Sequence, residues 1–150
     1  MKDTSGLVAR LLTRQRWAIW TSSEYLEGFG TPSTLDDLRD HFCIVGHRRG
    51  QPLSWRVRVG EDSIHFAPAV THQLGDGEAM IHAAIVGMGL CQMPRCLFSD
   101  DINGGRLVEV LGGYEPDPVE LHAVWPKVSH LRPKVRYVVD ELVKVCAHWQ

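Results

Sequence analysis

The chain has 150 residues, 44% hydrophobic and 23% charged, with a formal net charge of −2. That size and balance suit one soluble globular domain, and without a basic face they exclude an ordinary nucleic-acid-binding surface. No run approaches the ~20 apolar residues of a membrane span, and MKDTSGLVARLLTRQRW has neither the apolar core nor the small-residue cleavage site of a signal peptide; a cytoplasmic location is expected.

In chain order, the first strong element is RWAIWTS (Arg16–Ser22), a Trp- and Ile-rich strand. Ser22 or Ser23 caps a short helix, SEYLEGF, which Gly28 and Gly30 stop. TPSTLDDLRDH predicts a second helix, with Thr34 as cap and Asp36 and Asp37 in the first turn, where the helix dipole favours carboxylates. FCIVG (Phe42–Gly46) is a short apolar run of buried-strand type. LSWRVRVGEDSIHFA predicts a hairpin: Trp55, Val57 and Val59 alternate with Arg56 and Arg58, and Gly60-Glu61-Asp62 turns the chain. An extended piece follows through Val70 to Leu74. Asp76 then caps a helix whose Met80, Ala83, Ala84 and Gly87 share a face, extended by Ile81 and Ile85. Gly87 or Gly89 suits the left-handed conformation at its end.

LCQM is the next buried strand. Pro94 suits the first turn of a helix through RCLFSDDI, ended by Asn103-Gly104-Gly105. RLVEVL alternates as a strand, GGYEPDP breaks the chain, and LHAVWP is apolar and extended. Pro133 opens the last helix, where Val135, Val138, Val139, Leu142, Val143 and Cys146 make one apolar stripe that has to be buried. The alternation of strands and helices indicates an α/β domain with a mixed central sheet.

Chemistry-bearing motifs are sparse. Cys43, Cys91, Cys96 and Cys146 form no C-x-x-C pair, and three of them lie in apolar runs, the setting of buried reduced thiols. The eight histidines include no H-E-x-x-H and no helical i, i+4 pair, so no metal site is expected. No P-loop, G-x-S-x-G or G-x-G-x-x-G occurs, so no cofactor is expected. His47-Arg48-Arg49 reads as a solvated loop. One place favours a ligand: at Leu74–Gly77 a strand runs out and a helix begins, which offers N–H groups and the positive end of a helix dipole to an anion.

The order SSEYLEGFGTPSTLDDLRDHFCIVG, a hairpin carrying WRVRV, GDGEAMIHAAIVGMGLCQMP, and then GGRLVEVLGGYEPDPVELHAVWPKVSHLRPKVRYVVDELV resembles the effector-binding (substrate-binding) domain of LysR-type transcriptional regulators over nearly all of residues 5–146. The resemblance implies a type 2 periplasmic-binding-protein-like α/β fold of two lobes joined by crossover strands, with a small effector between them. RWAIWTS is similar to the first crossover and LHAVWP to the second. Residues 21–120 would be a complete second lobe, with 1–15 and 126–150 as remnants of the first. The family's helix-turn-helix and the first half of its effector domain are not found, so the chain is expected to be a cut piece or a degenerate gene product that makes no direct nucleic-acid contact. DNA binding would belong to the missing domain.

The expected function is therefore sensing of a small-molecule effector in a regulator. The alternatives are a lobe of a solute-binding protein, or a small enzyme using Cys43, Cys91 or Cys96 as a nucleophile beside a histidine; no catalytic residue is expected under the main reading. The expected effector wall comprises Thr21, Ser22 and Ser23 after the first crossover, Leu74, Gly75 and Asp76 before the central helix, and Gln92 and Met93 at the end of the following strand. The last helix, short of a first-lobe sheet, implies a homodimer or a fold-back onto RWAIW and LHAVW.

Overall fold

Period-two alternation in three short strands organises most of the chain. The protein, seen in a computed structural model, is described over residues 6–129 and 132–149. Its elements are β1 (Leu7–Gln15), β2 (Trp17–Thr21), α1 (Ser23–Phe29), β3 (Cys43–Arg48), β4 (Gln51–Pro52), β5 (Trp55–Val59), β6 (Asp62–Phe66), β7 (Val70–Leu74), α2 (Gly77–Ile85), β8 (Leu90–Pro94), α3 (Ser99–Asn103), β9 (Val108–Val110), β10 (Val119–Pro126) and α4 (Pro133–Cys146). Short 3-10 turns lie at Asp36–Asp40, Arg95–Phe98, Gly112–Tyr114 and Lys127–Ser129.

The chain forms two compact units, Trp17–Asp117 and a smaller one built from residues 6–16 and 118–149. In the larger unit β7, β3 and β8 are parallel neighbours, while β2 runs against both β8 and β9. The sheet is thus mixed, with β2 as its reversed strand. Ala18, Trp20, Ile44, Cys91 and Met93 point to one face, where α2 lays Met80, Ile81, Ala83 and Ala84 on them. Ile19, Cys43, Val45 and Leu90 point to the other, under Tyr25, Leu38 and the hairpin residues Trp55 and Val57. Each strand feeds two cores, which is why these runs read as almost continuously apolar.

The smaller unit is a two-stranded antiparallel sheet, with β1 and β10 in register from Leu7–Pro126 to Gln15–Val119 and an irregularity between Leu11 and Thr13. Helix α4 lies on it, tied by an Arg10–Asp140 ion pair of 3.0 Å.

The sequence expectations need several corrections. Strand β1 was not foreseen. LVARLLTRQ has adjacent leucines and three charged or amide side chains that blur the period, and its ladder with β10 makes it a strand. The run expected as one helix from Pro94 is broken, because Pro94 closes β8 and a 3-10 turn precedes the five-residue α3. Thr34 does accept from the Asp37 N–H (3.3 Å), but the helix it caps is a 3-10 turn. Neither expected crossover spans the units. β2 is an inner strand of the larger sheet, β10 pairs only with β1, and the chain passes between units at residues 16–17 and 117–118. Trp20 belongs to the larger unit's core and donates to the Met93 carbonyl (3.1 Å), whereas Trp125 belongs to the smaller unit. Of the stripe on α4, only Val139 and Cys146 are buried, while Val138 and Leu142 are exposed. Two strands are too narrow to cover six side chains. Leu131, at the start of the expected helix, lies outside the described residues.

Candidate effector-binding edge of the larger unit

Parallel strands deliver their carboxyl ends to one edge of a sheet, and in α/β folds ligands collect there. In the larger unit that edge carries Gly46 and His47 from β3, Leu74 to Asp76 after β7, and Met93 and Pro94 from β8. Helix α2 starts from it. Asp76 has an extended backbone, and its carboxylate accepts from the N–H of Glu78 (3.3 Å) and of Ala79 (3.2 Å). One orphan donor per oxygen is thereby satisfied.

Two glycines shape this edge. A Cβ on Gly75 would lie 2.8 Å from Nε2 of His47, and one on Gly77 would lie 3.0 Å from the Met93 methyl. The backbone can therefore approach both side chains closely only while these positions lack a side chain. His47 is exposed, as a solvated loop residue should be, yet its ring lies against the turn where α2 begins. Its part in this edge was missed in the sequence. The only available signal was that FCIVG ends at Gly46 and would run parallel to Val70–Leu74.

The eight expected wall residues do not gather in one place. Leu74, Gly75 and Asp76 lie on the carboxyl edge, with Met93 beneath Gly77. Because β2 is reversed, Thr21, Ser22 and Ser23 emerge at the opposite edge, beside the other end of α2. There Thr21 donates to the Gly89 carbonyl (2.9 Å) and Ser22 accepts from the Tyr25 N–H (3.1 Å). A nine-residue helix separates the two groups by about 13 Å. Thr21 and Ser22 are buried, while Ser23 is exposed in the first turn of α1.

Gln92 is buried and its amide is spent on the backbone: Oε1 accepts from the Arg56 N–H (3.0 Å) and Nε2 donates to the Arg56 carbonyl (2.6 Å). It pins the β5–β6 hairpin to the sheet. Met93 is a core side chain.

The candidate nucleophiles are poor ones. Burial pushes the Cys43 thiol up to about 11 and the Cys91 thiol up to about 12, so both stay protonated at neutral pH. They also face opposite sides of the sheet. Among the described residues no three His, Cys, Asp or Glu side chains converge as metal ligands, and no helix is long and apolar enough to cross a membrane.

A mixed sheet with one reversed strand, whose parallel strands end at the start of a covering helix, defines a type 2 periplasmic-binding-protein-like α/β lobe. The chain belongs to the LysR substrate binding domain family, whose model matches residues 2–147. It is similar to an uncharacterised HTH-type transcriptional regulator, YhjC, of Escherichia coli K12, at 30% identity over 142 residues, which covers 93% of this chain and 48% of that protein. It is 28% identical over 144 residues to the HTH-type transcriptional regulator CrgA of Neisseria meningitidis serogroup B, covering 95% of this chain and 48% of CrgA. The chain thus spans about half the length of the curated relatives it matches. Among solved structures, the CrgA regulatory domain superimposes with a TM-score of 0.82 at 26% identity, over 97% of this chain and 72% of that one. The regulatory domain of AphB from Vibrio vulnificus shares the fold, with a TM-score of 0.80 at 24% identity, over 97% of this chain and 71% of that one.

Proposed function

We propose that this chain is the effector-sensing part of a LysR-type transcriptional regulator that acts in the cytoplasm and binds a small metabolite. DNA contact in the whole regulator falls to the helix-turn-helix for which its relatives are described, and the chain carries out no catalysis of its own. The observation that carries this reading is the carboxyl edge of the larger sheet. There the Leu74–Asp76 turn, the start of α2 and the His47 ring meet around glycines that leave the backbone exposed.

Leu74, Gly75 and Asp76 are the wall residues of this proposal. Gln92 and Met93 support the edge from beneath, one by holding the hairpin and the other by filling the core. Thr21, Ser22 and Ser23 serve the opposite edge as caps. The ligand class that suits the edge is a small organic anion, held by backbone N–H groups and the helix dipole. The Asp76 carboxylate works against such an anion, so weak binding is expected from this chain. We further propose that the chain self-associates as a homodimer.

Amide chemical shifts of 15N-labelled protein during titration with small mono- and dicarboxylates test the site. Shifts at millimolar ligand, centred on residues 75–79 and His47, are the expected result. Shifts confined to residues 21–23, or a tight stoichiometric complex measured by calorimetry, would overturn this placement.

A further inference from the structure

The two edges of the smaller unit's sheet are unlike. On the β1 side, a pocket is lined by Val8, Arg10, Arg136 and Asp140 and is crossed by the Arg10–Asp140 ion pair. Charges on an edge strand are what keeps other strands from pairing there. On the β10 side an open groove is lined only by β10 and α4, among them Ala123, Val124, Val135, Val138 and Leu142, with Lys134 as its one charged member. Val124 is 55% exposed, Val138 54% and Leu142 40%, so this face is apolar as well as uncovered. Among the described residues β10 pairs with β1 alone. An unguarded strand edge beneath an apolar helix stripe is a template for another strand.

We infer that the occupant is β10 of a second copy of this chain, paired antiparallel across a two-fold axis centred on Ala123. The inference specifies the surface for the self-association proposed above and rests on that reading. Three observations favour a second copy. First, two strands under one helix fall short of the three or more that a sheet needs to stand alone, and two copies give a four-stranded sheet. Second, β10 supplies what the groove takes, a strand with Leu121, Ala123, Val124 and Trp125. Third, the pairing sets no like charges face to face. Centred on Ala123, it puts Leu121 opposite Trp125, Val124 opposite His122, and Glu120 opposite Pro126 of the second copy. Glu120 is already engaged by Arg14 at 3.0 Å. Pro126, which has no N–H to donate, falls at the end of the ladder.

The test uses sedimentation of the full chain at micromolar concentration, together with Ala123→Cys. Residues directly opposite in an antiparallel pair have Cα atoms about 4.5–5.5 Å apart, within reach of a disulfide. The expected result is a dimer, with Ala123→Cys oxidising to a covalent dimer while Val8→Cys, on the guarded strand, does not. Val124→Lys with Val138→Glu should return the protein to monomer at the same concentration, a change of at least tenfold in the dissociation constant. Both side chains are exposed, and an unchanged near-ultraviolet signal from buried Trp20 and Trp55 shows that the larger unit remains folded. A dimer that survives the double substitution, or that cross-links through Val8→Cys, overturns this surface and leaves self-association standing. A monomer at all accessible concentrations overturns both and leaves the groove to a different polypeptide.

Discussion

Gln92 shows how one side chain can be mistaken for a ligand-binding group. A buried amide at the end of a central strand invites a functional reading, yet here it completes two hydrogen bonds that β5 makes with nothing else on that side. Gln92→Leu keeps the volume but strands the Arg56 N–H and carbonyl. Leaving buried backbone groups unsatisfied costs about 1–3 kcal/mol, so the urea midpoint should fall while carboxylate-induced shifts at residues 75–79 stay in place. The thiols make a second residue-scale case. Cys43 and Cys91 sit at about 11 and about 12 in the folded protein, against an ordinary 9.0. The folded state holds their protons more tightly than the unfolded chain does. Their contribution to stability is therefore complete below pH ~9 and is lost as pH rises through 11 and 12. Tyr25, raised by burial, acts in the same direction. Denaturation midpoints measured from pH 8 to 11 should decline, and Cys91→Ala should flatten the decline. At pH 8 a thiol reagent should label partly exposed Cys96 ahead of buried Cys43, Cys91 and Cys146.

At the scale of elements, α2 is the best-determined part of the molecule. Its cap, its apolar face and its terminal glycines all specify the same nine residues. Ala84 is wholly buried on the inward face, so Ala84→Asp places an unpaired charge in the core. A loss of about 3–5 kcal/mol is expected, enough to lower the melting temperature sharply, and an unchanged melting temperature would mean the helix faces the other way. Gly89 marks the far end, with φ +153° and a position where a Cβ would lie 2.5 Å from the Phe42 carbonyl oxygen. Elements with such local signals were legible in the sequence: α2, the β5–β6 hairpin, and the alternating strands β2, β3 and β8. Less legible were those that owe their form to a distant partner. β1 is a strand because β10 lies beside it, and α4 is half-exposed because only two strands lie beneath it. The site was legible to the same degree. Leu74–Asp76 followed from a strand-to-helix junction. The separation of Thr21–Ser23 from it followed from the reversal of β2, a matter of sheet order that no local pattern records. His47 was hidden for the same reason, since only the parallel pairing of β3 with β7 brings it to Gly75.

The whole molecule is two units of unequal self-sufficiency. The larger one has a sheet covered on both faces, two clusters of buried side chains, and helix ends capped by Ser22 and Asp76. The smaller one has two strands, one helix and few buried aliphatic side chains. Burial of apolar area is the main term available to offset chain entropy, at about 25 cal/mol per Å2. The larger unit therefore holds most of the stability. A shortened chain spanning residues 17–117 should fold cooperatively, with a stability of about 5 kcal/mol or more, within the ordinary range for a domain of this size. Its buried Trp20 and Trp55 should give near-ultraviolet circular dichroism like that of the full chain, and its amides in β3, β8 and α2 should exchange with similar protection. In the full chain, amides of β1, β10 and α4 should exchange faster than those of the larger sheet, because opening the smaller unit exposes little apolar surface. A shortened chain that keeps secondary structure but loses its near-ultraviolet signal would show that the larger unit depends on the smaller. The stability would then reside in the whole chain, and the exchange rates of the two units would converge.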